Sequence, residues 1–149
     1  MVLLDELLRT TRALDDAGID YALVGGLAVA VWGAPRATKD IDLLLRSIDL
    51  DRAVEVAKDQ GFDIVALRIV FRDGMELQRV TRAQAGELLT LDFLVVNDNL
   101  EPVWASRRRL AVGRGELWVI SREALIAMKA LAGRPQDLAD IERLRDMDR

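Results

Sequence analysis

Apolar and polar positions alternate along this chain with two periods, and the switches between them lay out its elements. Leu3, Leu4, Leu7, Leu8 and Leu14 recur at helical spacing and predict an amphipathic helix that stops near Gly18. Tyr21 to Val24 predicts a short buried strand, and Gly25-Gly26 turns it into a second helix from Leu27 to Trp32. Lys39 to Leu45 is expected as a strand, followed by a helix from Leu50 to Lys58 that closes at Gln60-Gly61. The middle of the chain reads as strands. Phe62 to Phe71 and Glu76 to Val80 flank Asp73-Gly74, a hairpin signal. Leu89 to Val96 predicts a buried strand whose one charge is Asp92. Arg107 to Val112 and Glu116 to Ile120 suggest a second hairpin around Gly113-Arg114-Gly115. Two helices end the chain, Arg122 to Ala132 and Pro135 to about Arg145, with Pro135 placed in a first turn. This order predicts an α+β fold, a mixed β-sheet flanked by helices, in one domain over residues 1–149.

Composition narrows the chemistry. The chain has no cysteine and no histidine. Disulfides, zinc sites built on thiolate or imidazole, and Ser–His or Cys–His nucleophiles are therefore excluded. Reactions must run on carboxylates, lysine, arginine, hydroxyls and hard metal ions. A net charge of −4 argues against nucleic-acid binding driven by overall charge, leaving only a local patch such as Arg107-Arg108-Arg109. The N-terminus acquires Asp5 and Glu6 too early for a secretory leader. The longest uncharged run, Tyr21 to Pro35, is shorter than the ~18–20 apolar residues of a membrane span. No membrane association is expected, and a cytoplasmic location follows by default.

The informative residues are acids. Asp40 and Asp42 lie two apart on a predicted strand and so share a face, while Ile41, Leu43 and Leu45 face a core. Two carboxylates on one side of a buried strand repel unless positive charge stands between them. A divalent cation that prefers oxygen, Mg²⁺, is the simplest candidate. If the strand of Asp92 lies beside that of Asp40 and Asp42, three carboxylates converge and can hold one or two such ions with a triphosphate. The alternative is that Asp92 ends its strand or pairs with an arginine. Gly25-Gly26 would let backbone approach a phosphate, or would simply make a tight turn.

Gly25-Gly26 followed by Asp40-Ile41-Asp42-Leu43 resembles the signature of the DNA polymerase β-like nucleotidyltransferase superfamily. Within it the chain is most similar to the AbiEii/AbiGii-type nucleotidyltransferases of toxin–antitoxin systems. Arg36 to Asp42, Asp92 in Leu91-Asp92-Phe93-Leu94, Lys129, and Arg134 to Ile141 carry the likeness, which runs from about Tyr21 to Leu144. The resemblance implies the polymerase β-like fold and transfer of a nucleoside monophosphate from an NTP to an acceptor hydroxyl on tRNA, protein or a small molecule, with release of pyrophosphate. It implies Asp40, Asp42 and Asp92 as catalytic, metal-binding residues for two Mg²⁺ ions, with Mn²⁺ as an alternative. Nucleotide contacts are implied for Gly25, Gly26, Arg36, Thr38, Lys129 and Asp137.

Each of these has a plainer reading. Lys129 could be a lysine snorkelling at a helix edge. Asp137 and Asp140 sit near a helix start, where acids are favoured by the helix dipole. Arg134 could orient a phosphate or pair with an acid. The family pattern prefers lysine where Gln136 stands, and full toxins of this type add a helical C-terminal region. That leaves the acceptor surface to an antitoxin or toxin partner, to a second copy in a homo-oligomer, or absent. A catalytically silent nucleotide-binding or antitoxin-like protein of the same fold, and a metal-dependent phosphohydrolase, are the competing functions.

Overall fold

The computed structural model of the protein describes residues 2–33 and 38–147. Its elements in chain order are α1 (Val2–Asp16), β1 (Tyr21–Val24), α2 (Gly25–Val31), β2 (Asp40–Leu45), α3 (Leu50–Asp59), β3 (Ile64–Val65), β4 (Ile69–Val70), β5 (Glu76–Gln84), β6 (Glu87–Val95), α4 (Glu101–Ala105), β7 (Arg108–Val112), β8 (Gly115–Val119), α5 (Arg122–Ala132) and α6 (Pro135–Asp146). The strands form one mixed sheet in the order β3-β5-β6-β2-β1-β8-β7, with β4 also paired to β5. The expected α+β class, with a mixed sheet flanked by helices, is what the chain adopts. β2 runs antiparallel to β1 and parallel to β6, so it is bonded along both edges at the centre of the sheet.

The two faces of the sheet are clad differently. Tyr21, paired across β1 and β2 with Leu45, shares a face with Leu43, and α1 lies against it through Thr11. α3 contacts α1. Leu7, Leu14, Ala53 and Ala57 from these helices are buried in one core with Ile41, Leu43, Leu45, Leu91 and Phe93. The opposite face carries Asp40 and Asp42, and there α2 packs on β2 and touches α5, which packs on α6. Apolar residues on alternate positions thus bury one side of β2, leaving the other for polar chemistry.

Several elements differ from expectation. The strand predicted over Phe62 to Phe71 is broken into β3 and β4, both on the outer edge of β5, although the hairpin at Asp73-Gly74 forms. β5 and β6 are longer than predicted and are joined by Ala85-Gly86. Both turn residues have positive φ, 53° and 79°, as a two-residue turn of type I′ requires. An alanine in that conformation carries no sequence signal. α4 was not expected; it is only five residues long. The second helix begins at Gly25 rather than Leu27.

The buried Tyr21 hydroxyl accepts a hydrogen bond from the Trp118 backbone N–H at 3.2 Å, tying β1 to β8. Tyr21→Phe is expected to cost about 1–2 kcal/mol, the price of an unmade bond at a buried donor. Urea unfolding should show a lower midpoint at unchanged slope; an unmoved midpoint would contradict this.

Candidate active site

The register of the central strands brings the acids together. In the parallel pairing of β2 and β6, Asp42 stands directly beside Asp92, and Asp40 beside Thr90. Strands so paired are only about 4.8 Å apart. The convergence expected of Asp40, Asp42 and Asp92 on neighbouring strands is therefore present as a row on one face. Burial, the Asp92 carboxylate and the Asp40 carboxylate, in that order, push the Asp42 carboxyl up to about 7, while Lys129 and Arg79 pull it back.

Gly25 explains how β1 accommodates this row. Its φ is +75°, and a Cβ there would sit 2.3 Å from Oδ2 of Asp42. No side chain fits between backbone and carboxylate, so glycine is required for clearance as well as conformation. Gly26 is buried in the first turn of α2. Thr38 and Asp40 line a cleft of about 920 Å³, walled also by the β5–β6 hairpin and the first turns of α1. A smaller depression of about 390 Å³ between α1 and β8 has none of the three acids in its lining. Arg36 lies outside the described residues.

Arg79 is the residue that sequence reasoning missed. It sits opposite Asp92 on β5 and grips that carboxylate with both arms, Nε to Oδ1 at 2.8 Å and Nη2 to Oδ2 at 3.0 Å. The pairing raises its own pKa further. The signal was available only to a reader who placed the turn at Ala85-Gly86, because counting back from that turn sets Arg79 against Asp92. The plainer expectation for Asp92, an arginine partner, is thus realised together with the convergence. The two readings are compatible, since an ionised carboxylate offers about four lone-pair positions and Arg79 takes two.

Lys129, on α5, is buried, with its ammonium 2.9 Å from Asp140 and 3.4 Å from Asp137. It does not snorkel. Asp137 also accepts from the Arg134 side chain at 2.6 Å and from its backbone N–H, closing a capping box at the start of α6. Arg134, first, and Lys129 hold the Asp137 carboxyl below its ordinary range against the opposing effect of burial. Asp42 feels the charge of Lys129, and Arg134 that of Asp42, so this network borders the acid row. The arginine run is largely engaged elsewhere. Arg107 stacks 4.0 Å from the Trp104 ring and donates to the Tyr21 carbonyl, while Arg109 pairs with Glu116.

The donor set suits a hard cation. It is all oxygen and crowded, and burial and the neighbouring carboxylates keep one of its aspartates from ionising. Among the described residues no group of three or more acids lies close enough together to hold a metal ion as it stands. Asp92 answers to Arg79, and a cation would share it.

A model of the family described as "Nucleotidyl transferase of unknown function (DUF2204)" matches residues 3–149. The chain belongs to that family. Solved structures agree on the fold. A candidate nucleotidyltransferase of Thermotoga maritima, TM1012, superposes with a TM-score of 0.68 at 13% identity, covering 97% of this chain and 93% of that one. ANT(2")-Ia, in complex with adenylyl-2"-tobramycin, gives 0.70 at 15% identity over 97% and 88%. JHP933 from Helicobacter pylori gives 0.58 at 20% identity over 92% and 62%. No curated protein matches the chain. The nucleotidyltransferase kinship expected from the motifs holds at the level of this family, and the fold is shared with these structures. Among the described residues no helix is long and apolar enough to cross a membrane.

The raised Asp42 carboxyl has a consequence for this family member's stability. Between its ordinary value of 3.8 and about 7, the folded protein keeps Asp42 protonated where the unfolded chain ionises it. Folded molecules then bind more protons, so stability falls as pH rises through that window, by up to about 4 kcal/mol. Asp42→Asn removes the loss. In metal-free buffer the variant should melt above the wild type at alkaline pH, and the gap should close on acidification below the ordinary carboxylate range. A variant less stable than wild type in alkaline, metal-free buffer would refute the crowding.

Proposed function

We propose that this protein is a Mg²⁺-dependent nucleotidyltransferase that moves a nucleoside monophosphate from an NTP to an acceptor hydroxyl. The observation that carries the reading is the side-by-side placement of Asp42 and Asp92, with Asp40 on the same face. Bound Mg²⁺ would neutralise the carboxylates and the triphosphate and supply a Lewis acid at the α-phosphorus. Asp40, Asp42 and Asp92 would hold it, and the absence of a side chain at Gly25 leaves the Asp42 carboxylate room. Arg79 fixes the orientation of Asp92 through both of its oxygens, and their remaining lone pairs would serve the cation. Gly26, Arg36, Thr38, Lys129 and Asp137 complete the nucleotide side in this reading, with Lys129 held ready by Asp137 and Asp140.

The acceptor oxygen forms its bond to the α-phosphorus as the bond to the β-phosphate oxygen breaks. Pyrophosphate leaves, and the hydroxyl proton passes to the carboxylate row and on to water. Such a reaction needs position and charge neutralisation rather than a covalent intermediate, which suits a chain without histidine or cysteine. Kinship with the AbiEii/AbiGii-type toxins, and the antitoxin or toxin partner it would bring, rest on the resemblance around Lys129 and Arg134 to Ile141.

Label at the α-phosphate of each NTP should enter an acceptor in an extract of the source cell, only with Mg²⁺ or Mn²⁺. Asp42→Asn, although more stable in metal-free buffer, should lose at least about a thousandfold in rate. A folded wild type that transfers nothing would favour the catalytically silent reading; a variant with unchanged transfer would remove Asp42 from the site.

A further inference from the structure

The sheet has two edges, and they are defended differently. β7 carries Arg108 and Arg109, both exposed, and charge at an edge deters pairing with another chain. The opposite edge is made by β3 and β4, whose paired residues Ile64, Val65, Ile69 and Val70 are all apolar. With Phe71 they are between 43% and 65% exposed. Neither proline nor lysine interrupts residues 63–72. An apolar edge left open in this way is a template for another strand.

We infer that a second copy of the chain docks on this edge, by antiparallel strand pairing about a two-fold axis at Leu67-Arg68. β3 and β4 are in effect one strand interrupted by a bulge. Ala66, Leu67 and Arg68 stand between Val65 and Ile69, whereas only Gln78 and Arg79 stand between their partners Leu77 and Val80. One residue is therefore in excess. Gln78 fills the gap, its side-chain Nε2 donating to the Ala66 carbonyl at 2.7 Å. Ala66 and Phe71 donate their backbone N–H groups inward, to the carbonyls of Arg79 and Met75. By alternation, the N–H and C=O groups of Val65 and Val70 point outward, away from β5.

Counted as one position, Leu67-Arg68 is the centre of a symmetric edge. With bulge facing bulge, Ala66 of one copy meets Ile69 of the other, and Val65 meets Val70. Ile64 then meets Phe71, and Asp63 meets Arg72. The outward backbone groups of Val65 and Val70 face each other as a hydrogen-bonded pair, once on each side of the axis. The side-chain faces agree as well. Val65 and Val70 stand opposite Val80 and Glu76, on the face that carries Leu91; Ile64 and Ile69 stand opposite Thr81 and Leu77, on the face of Arg79 and Asp92. Opposite charges close both ends, since Asp63 and Arg72 are both exposed. A pairing centred on Val70 would set Arg68 against Arg72 instead, so charge selects the bulge-centred register. A bulge ordinarily blunts an edge. Placed on a two-fold axis, it brings the two halves into register.

The axis stands normal to the sheet, so both acid rows open on the same side of the joined sheet. Seven strand spacings separate the two copies of β2, three in each copy and one across the interface, or about 34 Å. Neither copy adds a residue to the other's acid row.

Sedimentation equilibrium of the full chain at about 100 μM, a hundredfold above a micromolar Kd, should give twice the 16.6 kDa of one chain. Val70→Lys changes a side chain 65% exposed in the single copy, and should give the mass of one chain with an unchanged circular dichroism spectrum. Charge exchange reads the register. Asp63→Arg and Arg72→Asp should each weaken the dimer about tenfold, and the double variant should regain the wild-type affinity. Amide hydrogen exchange at Val65 and Val70 should slow as the dimer forms. A wild type that stays monomeric, a mass that grows beyond two chains, a Val70→Lys variant that remains dimeric, or a double exchange no tighter than the singles would overturn the proposal. Should Val70→Lys fail to fold, the charge exchange, which leaves every apolar position intact, decides alone.

Discussion

Two carboxylates set side by side on adjacent parallel strands are the constraint around which the rest of this site is arranged. The parallel register of β2 and β6 leaves Asp42 no other neighbour than Asp92 on that side, and Asp40 follows on the same face. Hydrogen bonding along both edges of β2 and a packed apolar underside hold the strand in place, so the acids cannot separate by backbone movement. The repulsion is instead answered by a proton held on Asp42 and by two cations, Lys129 of α5 and Arg79 of β5. Such a site would favour a positive charge, because the fold has already assembled the negative charge.

The neighbours divide that task. Arg79 meets Asp92 from β5 and keeps it oriented. Gly25 meets Asp42 from the end of β1 and contributes only the absence of a side chain. Lys129 stands further off, held between Asp137 and Asp140, so that its charge is felt at Asp42 without closing the site. A lysine buried beside two acids is tolerable because both partners are ionisable and the helix start of α6 supplies one of them in a capping box. Membership of a nucleotidyltransferase family and a shared fold with ANT(2")-Ia and TM1012 place this arrangement in a group of proteins organised around the same sheet.

Much of this is legible in the sequence. Tyr21 to Val24, Arg122 to Ala132 and the acid strand announced themselves through periodicity and punctuation, because buried strands and capped helices follow local rules. The convergence of Asp40, Asp42 and Asp92 was legible as a condition, that two strands be neighbours, which only the topology could satisfy. Arg79 was invisible because its role depends on the β5–β6 register, set by a turn at Ala85-Gly86 that lacks the usual asparagine or aspartate. The burial of Lys129 was likewise hidden. Its partners Asp137 and Asp140 come from the next helix, and helix spacing alone does not say which face packs inward.

The central claim is that burial and the neighbouring carboxylates hold Asp42 above its ordinary titration range, and that a divalent cation would release it. Carbon-13 NMR of the Asp42 carboxyl, titrated with and without Mg²⁺, tests it most directly. The expected result is a midpoint near 7 in metal-free protein that falls toward about 4 or below when Mg²⁺ is added. An Asp42 that already titrates like a free aspartate, or one that Mg²⁺ leaves unmoved, would contradict the account.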